Sequence, residues 1–318
     1  MFYNPCMKRA RFATLVVTGL FAGTIAAPHC ALAQPRLPAT LTFAHPEKAG
    51  DARILTYVSS ERGFVTSSYI LEGPGGLVVI DTQFLLSAAE EMIAWAEATT
   101  GKKVVLGLVL HPNPDKFNGA AVLNRRKIPV LTSAEVLAKL PAVHELRKSW
   151  FYEDFKPDYP ADLPAVESFG DATRTIEAAG LNLKLHVLGK GCSDAHVVVE
   201  LDGHLFPGDL LTNDFHSWLE LGYVDEWIAR IVELKALKPD YVHPGRGPTG
   251  TSDLLDQQEH YLRTVQSLVK QARPRGAAKP AQLDALQQKI VAAFPGYRYS
   301  RFVRNGLDAL WKHAHAKR

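Results

Sequence analysis

The chain has 318 residues, 47% of them hydrophobic and 22% charged, the composition of an ordinary globular protein with room for one large domain or two small ones. Its formal charge of +3 is carried by the first 33 residues; beyond them 33 basic side chains face 33 acidic ones. A formally neutral body gives no electrostatic case for nucleic acid or an anionic membrane surface as partner.

At the start of the chain, Lys8, Arg9 and Arg11 precede an apolar stretch, residues 12–27, and then Ala31-Leu-Ala33 before Gln34. A charged region, a short apolar region and an A-x-A site predict a secretory signal peptide over 1–33 and a soluble periplasmic or secreted product. Met7 serves equally well as the start, since residues 2–6 add nothing to a signal. The apolar stretch is too short to be the preferred reading for a membrane span, and Ala27-Pro-His29 before Cys30 is not a lipoprotein pattern. Cys6 and Cys30 leave with the signal. Cys192 is then a single cysteine without an internal disulfide, and so a free thiol or a ligand.

Residues 34–53, rich in Pro and Ala, read as an extended lead-in. Residues 54–59 and 64–71 look like a strand pair, and Glu72-Gly-Pro-Gly-Gly76 is a turn before a strand at 77–80 that Asp81 ends. No Lys-Ser/Thr follows that turn, so it is not a phosphate loop. Residues 84–100 have helical spacing, with Gly101 as the stop. The apolar run 104–110 reads as a buried strand, followed by a helix near 120–125 and a strand at 128–131. This βαβαβ rhythm places helices against a sheet. A helix over 132–155, a surface excursion over 156–164, and strands at 174–177, 181–187, 196–201 and 204–206 come next, with Asp202-Gly203 as a hairpin turn. A helix over 219–238 and a short strand at 241–243 lead into a Pro-Gly-Arg-Gly loop. Helices over 252–273, 281–294 and 302–315 finish the chain. Ser267 and Lys270 fit S-x-x-K by chance within an amphipathic helix, and His313 with His315 reads as a polar tail.

The stretch that organises the chain is His111-Pro-Asn-Pro-Asp-Lys-Phe-Asn-Gly119. Two prolines and an Asn-Gly pair force a loop at the C-terminal end of the strand before it, so the polar side chains cluster there. A strand, this loop and a helix resemble the H-x-H-x-D-H motif of the metallo-β-lactamase-fold superfamily. Gly191-Cys-Ser-Asp-Ala-His196 stands where that family has G-H-[ST], Phe206-Pro-Gly-Asp209 matches F-x-G-D, and His243-Pro-Gly-Arg-Gly247 matches P-G-H-G. The resemblance implies a four-layer αββα sandwich over 54–250 with a helical C-terminal extension over 251–318. It also implies ancestry among hydrolases of esters, thioesters or lactams that act on small molecules.

By the same resemblance, the first metal position falls to His111, Asn113 and Cys192, and the second to Asp115, Lys116 and Arg246, with Asp209 bridging. Asp81 is a structural acid beside the site. His111, Cys192 and Asp209 are good ligands for one zinc or another divalent ion, and Asn113 is a weak one. Lys116 and Arg246 are cations and disfavour a second ion. They pair with Asp115 and Asp209, or serve a metal-free site in which Lys116 acts as nucleophile or base. The expectation is therefore a hydrolase-like protein holding at most one metal, or a non-catalytic binding protein holding none. His196 and His243 read as structural histidines able to substitute as ligands. His216 and Trp218 are candidates for lining the pocket, or else solvated loop residues.

Overall fold

A computed structural model describes residues 51–316. The expected signal peptide and nearly all of the lead-in lie outside the described residues. Among the described residues no helix is long and apolar enough to cross a membrane.

Two mixed sheets form the centre. The first is built in chain order from β1 (Ile54–Val58), β2 (Ser67–Gly73), β3 (Gly76–Ile80), β4 (Val104–Leu108), β5 (Val130–Thr132) and β6 (Glu167–Ser168). β1, β2 and β3 pair antiparallel, and β3 to β6 pair parallel. Every residue of β3 is buried, as expected for an apolar strand inside a sheet covered on both faces. The second sheet contains β7 (Arg174–Ala178), β8 (Leu181–Leu188), β9 (His196–Leu201), β10 (His204–Thr212), β11 (Tyr241–Arg246) and β12 (Gly250–Thr251). β7 to β10 form a meander, and β10 and β11 run parallel. Asp202 and Gly203 both take left-handed φ, 47° and 83°, as the two-residue hairpin between β9 and β10 requires.

Helices α1 (Leu86–Thr100), α2 (Pro114–Phe117), α3 (Ala120–Arg125) and α4 (Ala134–Phe155) belong to the first half. Helices α5 (Val224–Ala236), α6 (Asp253–Gln271), α7 (Pro280–Ala293) and α8 (Ser300–Ala316) belong to the second. α5 to α8 share one apolar core with the second sheet, in which Trp227, Leu262, Ile290 and Leu307 meet Val198 and Leu210. The Trp227 indole N–H donates to the Leu210 carbonyl at 2.8 Å, so this large side chain is buried without an orphaned donor. The two sheets meet through Tyr69 on β2. Its ring lies edge-on to Phe206 and His243, and its hydroxyl donates to the Pro244 carbonyl at 2.7 Å. The fold is the αββα sandwich with C-terminal helices that the sequence predicts.

Several boundaries differ from expectation. β2 begins at Ser67 rather than 64, because Phe64 and Val65 take left-handed φ of 63° and 51° and turn the chain toward β11. β11 continues through Pro-Gly-Arg to Arg246 instead of ending at 243, since its parallel pairing with β10 pins Pro244 to Gly208 and Arg246 to Thr212. α5 starts at Val224 rather than 219, after Gly222 takes φ of 69°. The sequence pattern also missed α2, a single turn hidden inside the first motif.

Candidate functional site

The motifs lie after β4, between β8 and β9, within β10 and at the end of β11. After β4 the buried residues Val109 and Leu110 lead to His111. Asn113 is extended, as a residue before proline is pushed to be, and caps α2 with Pro114 in its first turn. Asp115 and Lys116 are thereby carried into the interior. Asp81 ends β3 in a left-handed conformation, φ 60°, and its Oδ1 accepts the Leu110 N–H at 3.0 Å, which fixes the strand end that bears His111. On β10, Asp209 follows Gly208. On β11, Gly245 lets the backbone approach: a Cβ there would lie 2.0 Å from Asp209 Oδ1.

The charged centre is an ion-pair cluster. Lys116 Nζ lies 2.9 Å from Asp209 Oδ1, 3.2 Å from Asp115 Oδ2 and 3.7 Å from Asp81 Oδ2. The Arg246 guanidinium spans Asp209 Oδ2 at 2.5 Å and Asp115 Oδ2 at 2.7 Å. Its Nε donates to the Phe64 carbonyl at 3.1 Å, and the Thr66 hydroxyl donates to Asp115 Oδ2 at 3.0 Å. Lys116 is fully buried, and Arg246, Asp209 and Asp115 are nearly so. Burial opposes charge on each of these groups, but opposite charges outweigh it. Arg246 and Lys116 hold the Asp209 carboxyl well below the usual range. Lys116 and Arg246 also lower Asp115, against its burial. Asp115, Asp209 and Asp81 keep the Lys116 ammonium above the ordinary lysine range. Asp81 goes the other way: burial dominates and pushes its carboxyl up to about 6. A lysine held protonated in this way lacks the free amine that a nucleophile or base requires.

Beside this cluster lies a second one. One ligand atom each from His111, Cys192 and His196 fall within 4.8 Å of one another, and all three residues are buried. Neither His111 nitrogen has a hydrogen-bond partner, nor does His196 Nδ1. The Ser193 N–H donates to His196 Nε2 at 3.1 Å, and Cys192 Sγ lies 3.8 Å from the same nitrogen. Burial pushes the Cys192 thiol up, with Asp209 adding to the effect, and pushes the His196 imidazole well down, with His111 adding to it. Buried, unpartnered imidazole nitrogens next to a thiol suit a single thiophilic ion, whose charge would also reverse the pressure on Cys192. His111 Nε2 is 3.6 Å from Asp209 Oδ2, so the two clusters touch there.

The sequence-predicted residues therefore divide. Asp115, Lys116, Asp209 and Arg246 come together as one salt-bridged unit, and His111 and Cys192 belong to the second cluster. Asn113 is half-buried at the start of α2. His196, read from the sequence as a structural histidine able to substitute as a ligand, joins His111 and Cys192; it stands four residues after Cys192, where β9 begins. His243 lies elsewhere, accepting or donating to His204 Nδ1 at 2.9 Å and stacked on Phe206.

Residues 62–246, more than half of the chain, match the sequence profile of the metallo-beta-lactamase superfamily. The chain belongs to that superfamily. Solved structures agree on the fold. A metallo-beta-lactamase from Pontibacter korlensis superposes with a TM-score of 0.53 at 23% identity, covering 67% of this chain and 95% of its own. The DIM-1 metallo-beta-lactamase gives 0.52 at 19% identity, covering 68% of this chain and 94% of its own. VMB-1 gives 0.54 at 18% identity, with 67% and 94% covered. No curated protein matches the chain in sequence. Zinc is the usual metal of the superfamily, and the His111–Cys192–His196 donor set fits one such ion. The carboxylates of the charged cluster do not fit a second, because Lys116 and Arg246 already pair with them.

Proposed function

We propose that this superfamily member is an exported, hydrolase-like protein that retains one metal position, on His111, Cys192 and His196. Lys116 and Arg246 stand in for the charge of a second ion. The observation that carries the reading is the convergence of three buried donors, with unpartnered imidazole nitrogens, beside carboxylates that are already neutralised. It moves the third ligand from Asn113 to His196 and leaves Asp209 to position rather than to bind. A zinc ion there would supply Lewis acidity for hydrolysis. The protein's own residues supply the rest. Asp209 holds an acceptor beside His111, Asp81 fixes the strand end, and the Lys116–Arg246 pair keeps Asp209 and Asp115 ionised. Kinship points to a small-molecule ester, thioester or lactam as substrate class, and residues 1–33 are the support for export.

Elemental analysis of the mature protein tests the metal position. About one zinc per chain, lost together with ester or lactam turnover in Cys192→Ala, is the expected result; unchanged turnover in that variant would remove the hydrolase reading. A second reading, a metal-free binding protein, is favoured by one observation: His111, Lys116 and His196 are each 0% exposed, so nothing reaches them without movement of the covering loops. That reading expects a thermal midpoint indifferent to chelator.

A further inference from the structure

A second buried charge pair lies at the edge of the site. Arg147, on α4, is 6% exposed, and its guanidinium forks onto the Glu220 carboxylate. Nη1 donates to Oε1 at 2.9 Å, and Nη2 donates to Oε2. The Trp218 indole N–H donates to Oε2 as well, at 2.9 Å. Trp150 faces the guanidinium at 4.2 Å and Trp218 at 5.6 Å. The outcome is a carboxylate cradle of three N–H donors between two indoles. Trp150 is 45% exposed and the Glu220 side chain 20%, so the cradle opens to solvent.

Glu220 lies on the irregular segment between β10 and α5, and this segment packs against Cys192, one residue of the candidate metal position. Leu219, Gly222, Tyr223 and Trp227 close on Gly191 and Cys192 there in a tight crevice. On its other side Trp218 meets Phe302 edge-on at 4.9 Å, and Phe302 lies 5.4 Å from the Arg246 guanidinium. The pair thus latches this segment to α4.

We infer that Arg147 anchors a carboxylate of the ligand, an anion on an apolar or aromatic body, and that Glu220 occupies this anchor as an internal stand-in while the site is closed. The inference rests on the reading of this site as one that takes a small molecule. Exchanging one carboxylate for another preserves the charge balance and every hydrogen bond of the cradle, so it avoids the cost of leaving a buried guanidinium unpaired. A neutral or cationic ligand cannot make that exchange. Glu220, being tethered, competes at an effective concentration on the order of millimolar or above and masks the anchor.

Phenylacetate and its neutral counterpart phenylacetamide are the probes, titrated calorimetrically into the mature wild type, Glu220→Gln and Glu220→Gln/Arg147→Lys, with zinc content measured on the same samples. Phenylacetate is expected to bind Glu220→Gln at least tenfold tighter than wild type. Phenylacetamide should not bind, and the gain should vanish in the double variant. Phenylacetate binding no tighter than in wild type, or equal binding of the amide, overturns the inference. If Glu220→Gln does not fold alone, refolding in phenylacetate is compared with refolding in phenylacetamide: rescue by the acid alone supports the anchor, and equal failure overturns it. Zinc retained without carboxylate binding defeats only this inference, whereas carboxylate binding without zinc defeats only the single-metal reading.

Discussion

The Lys116 ammonium and the Asp209 carboxylate meet at 2.9 Å with side chains 0% and 4% exposed. Two charges removed from water to this degree hold together only because both are paired again: Lys116 by Asp115 and Asp81, Asp209 by Arg246. Removing one partner exposes the debt. Lys116→Met leaves Asp115 and Asp209 with Arg246 alone, removes the ion pair of Asp81, and should destabilise the protein by about 3–5 kcal/mol. Urea unfolding of the variant measures this; a loss below about 1 kcal/mol would mean the pair is not the keystone of the cluster.

Asp81 gives the cluster a pH dependence of its own. Its carboxyl is raised to about 6, so its contribution to stability is fully present below the ordinary aspartate range and is lost as pH rises through about 6. Asp115 and Asp209 are depressed, so theirs is present above the ordinary range and lost only in acid. Between about pH 4.5 and 7.5 the Asp81 effect is the one that varies among these three. Relative to Asp81→Asn, whose amide oxygen can still accept the Leu110 N–H, the wild type should lose stability as pH rises across that window, on top of the opposite trend that the depressed buried histidines give both proteins. Parallel pH profiles for the two proteins would refute the assignment.

Gly245 is a steric requirement of the site. Gly245→Ala would place a methyl carbon 2.0 Å from Asp209 Oδ1 and 2.8 Å from the Asp209 backbone nitrogen. The carboxylate must then leave Arg246 or the strand must shift, at a cost of about 1–3 kcal/mol. Thermal melting should show this loss, with no comparable effect from alanine at Gly101, where nothing lies within 4 Å, beyond the strain of its positive φ.

Much of this was legible in the sequence because it is local. The apolar run before His111, the Asp202-Gly203 turn and the four ordered motifs each carry their structure in a few adjacent residues. The pairing of Lys116 and Arg246 with Asp115 and Asp209 was one of the alternatives that the family resemblance, which set the four at neighbouring positions, and their charges left open. The parts that were not legible are those set by approach between distant segments. His196 reaches Cys192 because the chain doubles back at Ser193 before β9, and Phe64 reaches Arg246 because two successive left-handed residues break the expected strand. The Arg147–Glu220 latch joins residues 73 positions apart and has no sequence signature at all.

The most direct test of the account is a titration of the mature protein with cobalt(II), read by thiolate-to-metal absorption. The account predicts one equivalent bound, with a charge-transfer band that disappears in Cys192→Ser, weakens in His196→Ala and persists in Asn113→Ala. No band at saturating cobalt, or a band that survives His196→Ala but is lost in Asn113→Ala, would contradict it.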